Sequence, residues 1–196
     1  MRRICVYCGS SPGARPAYRT AASGLGVALA RSGLEMIYGG ADAGLMAAVA
    51  EACLGAGGRV TGVLLQRFVE HGLAPTGLTS LEVVETMHER KGRMAQLADG
   101  FVALPGGLGT LDEFFEVLTW TQIGIHAKPC GLLNVAGYFN PLLAFLDDMV
   151  NERFLISEHR ELVQVDSDPA GLLARLEAWR PPCLPKWVDR HVAGDA

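Results

Sequence analysis

The residues from Leu104 to Phe114 read LPGGLGTLDEF and follow the apolar run DGFVA. Glycines at 106, 107 and 109 let the backbone come close to an anion. A helix beginning there would offer the same ligand its unpaired N–H groups and the positive end of its dipole. That is phosphate-holding chemistry. Thr110, Asp112 and Glu113 also fit a simpler account, because T-x-x-E is a capping box. In it the Thr110 hydroxyl accepts the Glu113 backbone N–H and the glutamate reaches back. Acids in a first turn suit the helix dipole as well. Beside a phosphate, however, two adjacent carboxylates are repelled and need a countercharge. Glu116 lies one turn beyond Glu113 and shares its face.

The countercharge on offer is MHERKGRM, Met87 to Met94. Arg90 and Arg93 share a helix face, with Lys91 beside them. Arginine and lysine pair well with phosphate or carboxylate, and Met87 would lie against a base or sugar. This segment directly follows a strand-like run, which sets the first turn of its helix on the sheet edge where ligands gather.

The elements that must position these residues alternate regularly. Strands are expected at Arg3–Cys8, Leu34–Gly40, Arg59–Leu65, Ser80–Thr86, Gly100–Gly107 (with its exit loop) and Lys128–Val135, with a short one near Leu162–Ser167. Helices are expected at Tyr18–Ser32, Ala43–Gly58, Met87–Ala98, Thr110–Gly124, Asn140–Phe154 and Pro169 to about Trp179. Short buried runs alternating with helical patterns imply a mostly parallel sheet covered on both faces. The fold class is therefore α/β, a Rossmann-like three-layer sandwich. One domain is expected over residues 1–179, followed by a proline-containing extension over 180–196. In such sheets ligands sit outside the carboxyl ends of the strands. Three glycine-bearing exits lie there: CGSS with Ser10, YGGADAG with Gly39 and Gly40, and LPGGLGT. Together they point to a nucleotide or a phosphorylated sugar. Neither G-x-G-x-x-G nor G-x-x-x-x-G-K-[ST] occurs, which disfavours a dinucleotide fingerprint or a Walker ATPase.

Bulk properties narrow the classes further. A net charge of −4 supplies no general basic field for nucleic acid or anionic membrane. No apolar run approaches membrane-spanning length and the N-terminus does not read as a signal peptide, so a cytoplasmic protein is expected. Cys5 and Cys8 have C-x-x-C spacing, but in a strand residues three apart face opposite sides. Buried reduced thiols are expected, with no metal and no cofactor.

Two rare motifs in the right order carry a family resemblance. LPGGLGTLDE matches P-G-G-x-G-T-x-x-E, and MHERKGRM matches M-H-x-R-K-x-x-M. The chain thereby resembles the Lonely Guy (LOG) family, cytokinin-activating nucleoside 5′-monophosphate phosphoribohydrolases long labelled lysine decarboxylase-like. CVYCGSSPG, YGGADAGLM, TWTQIGIHAKPCGLLNV and FLDDMVNERF extend the match over roughly Arg3 to Phe154. The resemblance implies a homodimer that hydrolyses the N-glycosidic bond of AMP or an N6-modified AMP to free base and ribose 5-phosphate. It implies Arg90 and Glu113 as the catalytic pair. Gly106, Gly107, Gly109 and Thr110 would contact phosphate and sugar, with Lys91 and Ser10 as further candidates; Gly39, Gly40 and Asp112 join them as substrate-binding residues, and Met87 and Thr119 would border the base or nucleotide. Ala41 and Ala47 stand where the family commonly has glycine; Ala41 would resist a positive φ. Glu70 is the nearest counterpart of a family acid that precedes M-H-x-R-K.

The chemistry is consistent with this: breaking an N-glycosidic bond passes through an oxocarbenium-like state that a carboxylate stabilises. Glu113 is expected both to cap its helix and to face the sugar. His88, beside Arg90, is a candidate acid, and His126 reads as structural. Two alternatives differ in class. A decarboxylase would need pyridoxal phosphate on Lys91, Lys128 or Lys186. A non-catalytic binding protein for a nucleotide or phosphorylated cofactor would use the same glycine loops without requiring both Arg90 and Glu113.

Overall fold

The computed structural model describes residues 1–182. Seven strands, β1 (Arg3–Tyr7), β2 (Glu35–Tyr38), β3 (Val60–Leu65), β4 (Ser80–Val84), β5 (Gly100–Ala103), β6 (Cys130–Leu133) and β7 (Val163–Asp166), form one sheet. Its order is β4-β3-β2-β1-β5-β6-β7, and every pairing is parallel. Between them run α1 (Pro16–Arg31), α2 (Gly44–Gly55), α3 (Gln66–Glu70), α4 (Met87–Leu97), α5 (Leu108–Gln122), α6 (Asn140–Asn151), α7 (Ser157–Arg160) and α8 (Pro169–Ala178).

The central strands are apolar on both faces because both are covered. One core packs α1, α2 and α8 against Ile4, Val6, Tyr38 and Val102. The other packs α4, α5 and α6 against Cys5, Tyr7, Phe101 and Leu132. Cys5 and Cys8 thus fall in different cores, both buried and free. Strands β1 to β4 step outward in one direction, and the chain then crosses back to place β5 on the other side of β1. That is the topological switch point: the helices that follow β1 and β5, α1 and α5, lie on opposite faces of the sheet.

The short elements depart from expectation. α3, α7 and a 3-10 turn at Val135–Gly137 were not expected, since one or two turns carry no hydrophobic period, and the turn takes Val135 from the end of the expected sixth strand. β4 ends at Val84 because Thr86 caps α4. α6 stops at Asn151, short of Phe154, where Arg153 takes a left-handed φ of 64° and Phe154 N–H returns to Met149 O. Of the extension expected over 180–196, residues 183–196 lie outside the described residues, and so do Cys183 and Lys186.

Candidate active site

The exits of β1, β2 and β5 meet at the switch point. Gly9 N–H donates to Pro105 O at 3.1 Å, and Leu45 N–H donates to Gly9 O at 3.0 Å. The packing leaves no room for side chains. A Cβ on Gly44 would fall 2.4 Å from the Ser10 backbone, and one on Gly106 would fall 2.1 Å from Thr110 Oγ1 and 2.8 Å from Gly9 N. Left-handed φ occurs at Gly40 (72°) and Gly44 (53°). Ala41 is not among the positive-φ residues, so its methyl meets no conformational objection. Ala47 lies inside α2.

α5 begins two residues before the expected start. Its N-cap is Gly107, extended at φ −93° and ψ −155°, with no side-chain cap. Thr110 is thus a buried residue of the first turn, and the T-x-x-E capping box expected at Thr110–Glu113 is not formed. Glycines at 106 and 107 explain the shift: Gly106 leaves space for the Thr110 side chain, and the helix opens on backbone N–H groups alone. The capping box of this region belongs to α4 instead. Glu89 N–H donates to Thr86 Oγ1 at 3.1 Å, and Glu89 Oε2 accepts from Thr86 N–H at 3.0 Å.

α4 projects Arg90 across the sheet edge toward α5. Arg90 is buried, and its guanidinium is held on three sides. Nε donates to Val63 O, Nη2 to Gly39 O and Nη1 to Glu113 Oε1, each at 2.9 Å. Met87 Sδ lies 3.5 Å from Nη1. With the guanidinium so placed Gly39 has no room for a side chain, since a Cβ would fall 1.8 Å from Arg90 Nη2. Burial pushes the Glu113 carboxyl above the ordinary carboxylate range, while the Arg90 charge and hydrogen bond pull the other way. A carboxylate of raised basicity is therefore fixed beside a cation in a half-dry site.

The other acids are countered too. Lys91 Nζ reaches Asp112 at 3.1 Å and Glu116 at 3.3 Å. Burial opposes its charge, but hydrogen bonds to both acids prevail and raise its pKa. Arg93 faces away from this group and pairs with Glu82 on β4. Glu70 accepts from Gln66 within α3.

The remaining residues divide. Ser10 is exposed in the β1 exit, and Gly107 and Gly109 are exposed at the start of α5. Thr119 is not brought to this group: it lies about three turns along α5, exposed, with its hydroxyl bonded to Phe115 O at 2.7 Å. His88 is exposed on α4. His126 packs against Phe101 and Trp120, and burial, then Lys128, push its pKa down to about 4. Sequence reasoning passed over Tyr138, which lines a cavity of about 300 Å³ at the switch point with Tyr18, Leu45, Ser10, Gly106 and Gly107. A signal was available: AGYFN follows the sixth strand and so exits on the same sheet edge as the three glycine loops.

A protein-family model described as "Possible lysine decarboxylase" matches residues 46–176. A probable cytokinin riboside 5′-monophosphate phosphoribohydrolase of Oryza sativa subsp. japonica is 50% identical over 182 residues, covering 92% of this chain and 79% of the relative. A cytokinin riboside 5′-monophosphate phosphoribohydrolase of Rhodococcoides fascians is 46% identical over 178 residues, 90% of each.

The chain belongs to the LOG family.

Solved structures of the same fold include the molybdenum cofactor binding protein of Rippkaea orientalis, with TM-score 0.69, 22% identity and coverage of 91% of this chain and 97% of that one. A Moco carrier protein of Chlamydomonas reinhardtii gives TM-score 0.70, 22% identity and coverage of 90% and 96%. Among the described residues, neither lysine offers the free amine that a pyridoxal phosphate decarboxylase would use. Pyridoxal phosphate needs a lysine free to form a Schiff base. Lys91 is locked between two carboxylates, and Lys128 donates to Ala95 O at 2.8 Å beneath the opposite edge of the sheet, just before β6.

Proposed function

We propose that the protein hydrolyses the N-glycosidic bond of AMP or an N6-modified AMP, releasing the free base and ribose 5-phosphate. The observation that carries this reading is the buried Arg90–Glu113 pair, 2.9 Å apart, beside the glycine exits of the switch point. The names of the relatives supply the substrate class.

The 5′-phosphate rests on the start of α5, where the N–H groups of Leu108, Gly109 and Thr110 lack intrahelical partners and the dipole favours an anion. Gly106 and Gly107 form its floor and the Ser10 hydroxyl its rim. Lys91 offsets Asp112 and Glu116, so that these acids do not repel the ligand. Gly39 and Gly40 let the ribose approach the β2 exit, and Met87, 41% exposed, offers an apolar contact to the base.

As the bond to the base breaks, positive charge grows at C1′ and the ring oxygen, and the Glu113 carboxylate stabilises it. Raised basicity also suits Glu113 to take a proton from the attacking water. Arg90 keeps Glu113 ionised and aimed. A guanidinium is too weak an acid to protonate the purine, so the departing base takes its proton from solvent.

The unit that performs this is read as residues 1–179. It is also read as a cytoplasmic homodimer. Buried reduced thiols fit a reducing compartment, and the exposed Leu108, Ile123, Ile125, Phe145 and Phe154 offer apolar surface to a second copy. Sedimentation at micromolar concentration tests the dimer. The activity is tested by incubating the full chain with AMP and with N6-isopentenyl-AMP and separating the products. Base and ribose 5-phosphate in equal amounts support it. Nucleoside with inorganic phosphate, or nucleotide recovered intact, would overturn it.

A further inference from the structure

Tyr138 takes no part in the chemistry above, yet it touches the phosphate floor. Its hydroxyl donates to Gly106 O at 2.6 Å, and its ring meets Tyr18 edge-on at 5.6 Å between centroids. The turn that delivers it is strained. Ala136 takes φ 51° and ψ 30°, followed by Gly137 at φ 72°. A residue with a Cβ holds that conformation only where its surroundings over-determine it.

Here they do. Asn134 Oδ1 accepts Phe139 N–H at 2.8 Å, and its Nδ2 donates to Asn140 Oδ1 at 2.7 Å. Asn134 N–H is tied to Asp166 O at 2.8 Å, and Tyr138 N–H to Val135 O at 3.0 Å. Arg15 Nη1 donates to Ala136 O at 3.4 Å. Five hydrogen bonds thus brace a costly turn whose exposed product is one phenol aimed at one carbonyl.

That carbonyl belongs to the Gly106–Gly107 peptide. Two glycines give a peptide plane little intrinsic preference for either orientation. In a planar trans peptide the C=O and N–H point opposite ways. Fixing the Gly106 carbonyl on Tyr138 therefore turns the Gly107 N–H to the far side.

We propose that Tyr138 is a positioning residue for the phosphate cradle: by holding the Gly106 carbonyl it presents the Gly107 N–H to the 5′-phosphate. The inference rests on the phosphate reading above. It requires that Tyr138 act on affinity for the phosphate-bearing half of the substrate and not on the bond-breaking step.

The test compares wild type with Tyr138→Phe in the full chain, using calorimetry with ribose 5-phosphate and steady-state kinetics with AMP. Removing one hydrogen bond of ordinary strength changes affinity by about 3- to 10-fold. The ribose 5-phosphate Kd and the KM for AMP are expected to rise together by that factor. Turnover should stay within about twofold, and inhibition by free adenine should not change. Equal ribose 5-phosphate affinity in both proteins, or a fall in kcat with unchanged Kd, would overturn the proposal. A purely structural role would lower Tm without this selectivity.

In case the variant does not fold, the wild-type Gly107 amide resonance serves as a second readout. It should move strongly on titration with ribose 5-phosphate, and a stationary Gly107 signal would also overturn the proposal. Base release by wild type judges the hydrolase reading separately. If no base is released while Tyr138→Phe weakens ribose 5-phosphate binding, the activity fails and the cradle stands.

Discussion

Gly39→Ala probes the Arg90–Glu113 pair without touching either residue. An alanine Cβ at this position would lie 1.8 Å from Arg90 Nη2 and 3.0 Å from Cζ. Backbone strain does not enter, since Gly39 is not among the positive-φ glycines. The guanidinium must therefore leave Gly39 O, and its 2.9 Å bond to Glu113 is disturbed with it. A hydrogen bond to a charged group contributes about 1.5–3 kcal/mol, and each 1.4 kcal/mol at the transition state is tenfold in rate. The expected fall in kcat/KM is about 10- to 150-fold.

The acid limb of the pH–rate profile should move as well. Burial already raises the Glu113 pKa, and Arg90 is the main influence that lowers it. With Arg90 displaced, the pKa rises further, less of the carboxylate is ionised at a given pH, and the limb shifts to higher pH. The assay is base release from AMP between pH 4 and 8, alongside a melting curve. A folded Gly39→Ala protein with kcat/KM within twofold of wild type and an unmoved acid limb would refute the account of how Arg90 is held.

Two further outcomes are expected. Lys91→Met should raise the KM for AMP with kcat little changed, because it removes the charge that offsets Asp112 and Glu116 beside the phosphate. A KM equal to that of wild type in the same kinetics would contradict that role. His126 gives a stability signature. Its pKa is about 4 in the folded state, against an ordinary value of about 6.5, so the unfolded chain binds the proton first as pH falls. Stability is therefore full above about pH 6.5 and is lost on going down to about 4. The Tm advantage of wild type over His126→Phe should shrink across that window in melting curves, and a pH-independent difference would contradict this.

The sheet was legible in the sequence because buried parallel strands are apolar runs bounded by glycine, and three of those bounds come together at the exits of β1, β2 and β5. Arg90 and Glu113 were legible through their motifs. Their coupling was not, because Arg90 is held by Val63 O and Gly39 O, backbone atoms 27 and 51 residues away that carry no side-chain signal. The capping box misled for a related reason: T-x-x-E is a local pattern, and at Thr110 the tertiary space beside Gly106 prevailed over it. Asp112 was read as needing a countercharge, and Lys91 of α4 lies 3.1 Å from it. Tyr138 escaped notice because its turn is made by left-handed backbone at an alanine, which sequence patterns do not anticipate.

The central claim is that Glu113 acts on the bond and not merely on the ligand. Glu113→Gln keeps the shape and a hydrogen-bond acceptor but removes the charge and the base. The measurement is turnover of AMP and N6-isopentenyl-AMP together with equilibrium binding of each nucleotide to wild type and Glu113→Gln. The account predicts base release reduced by about 10²-fold or more, as for loss of a group that stabilises transition-state charge, with nucleotide Kd within a few-fold of wild type. Base release retained within threefold, or lost only in proportion to weakened binding, would contradict it.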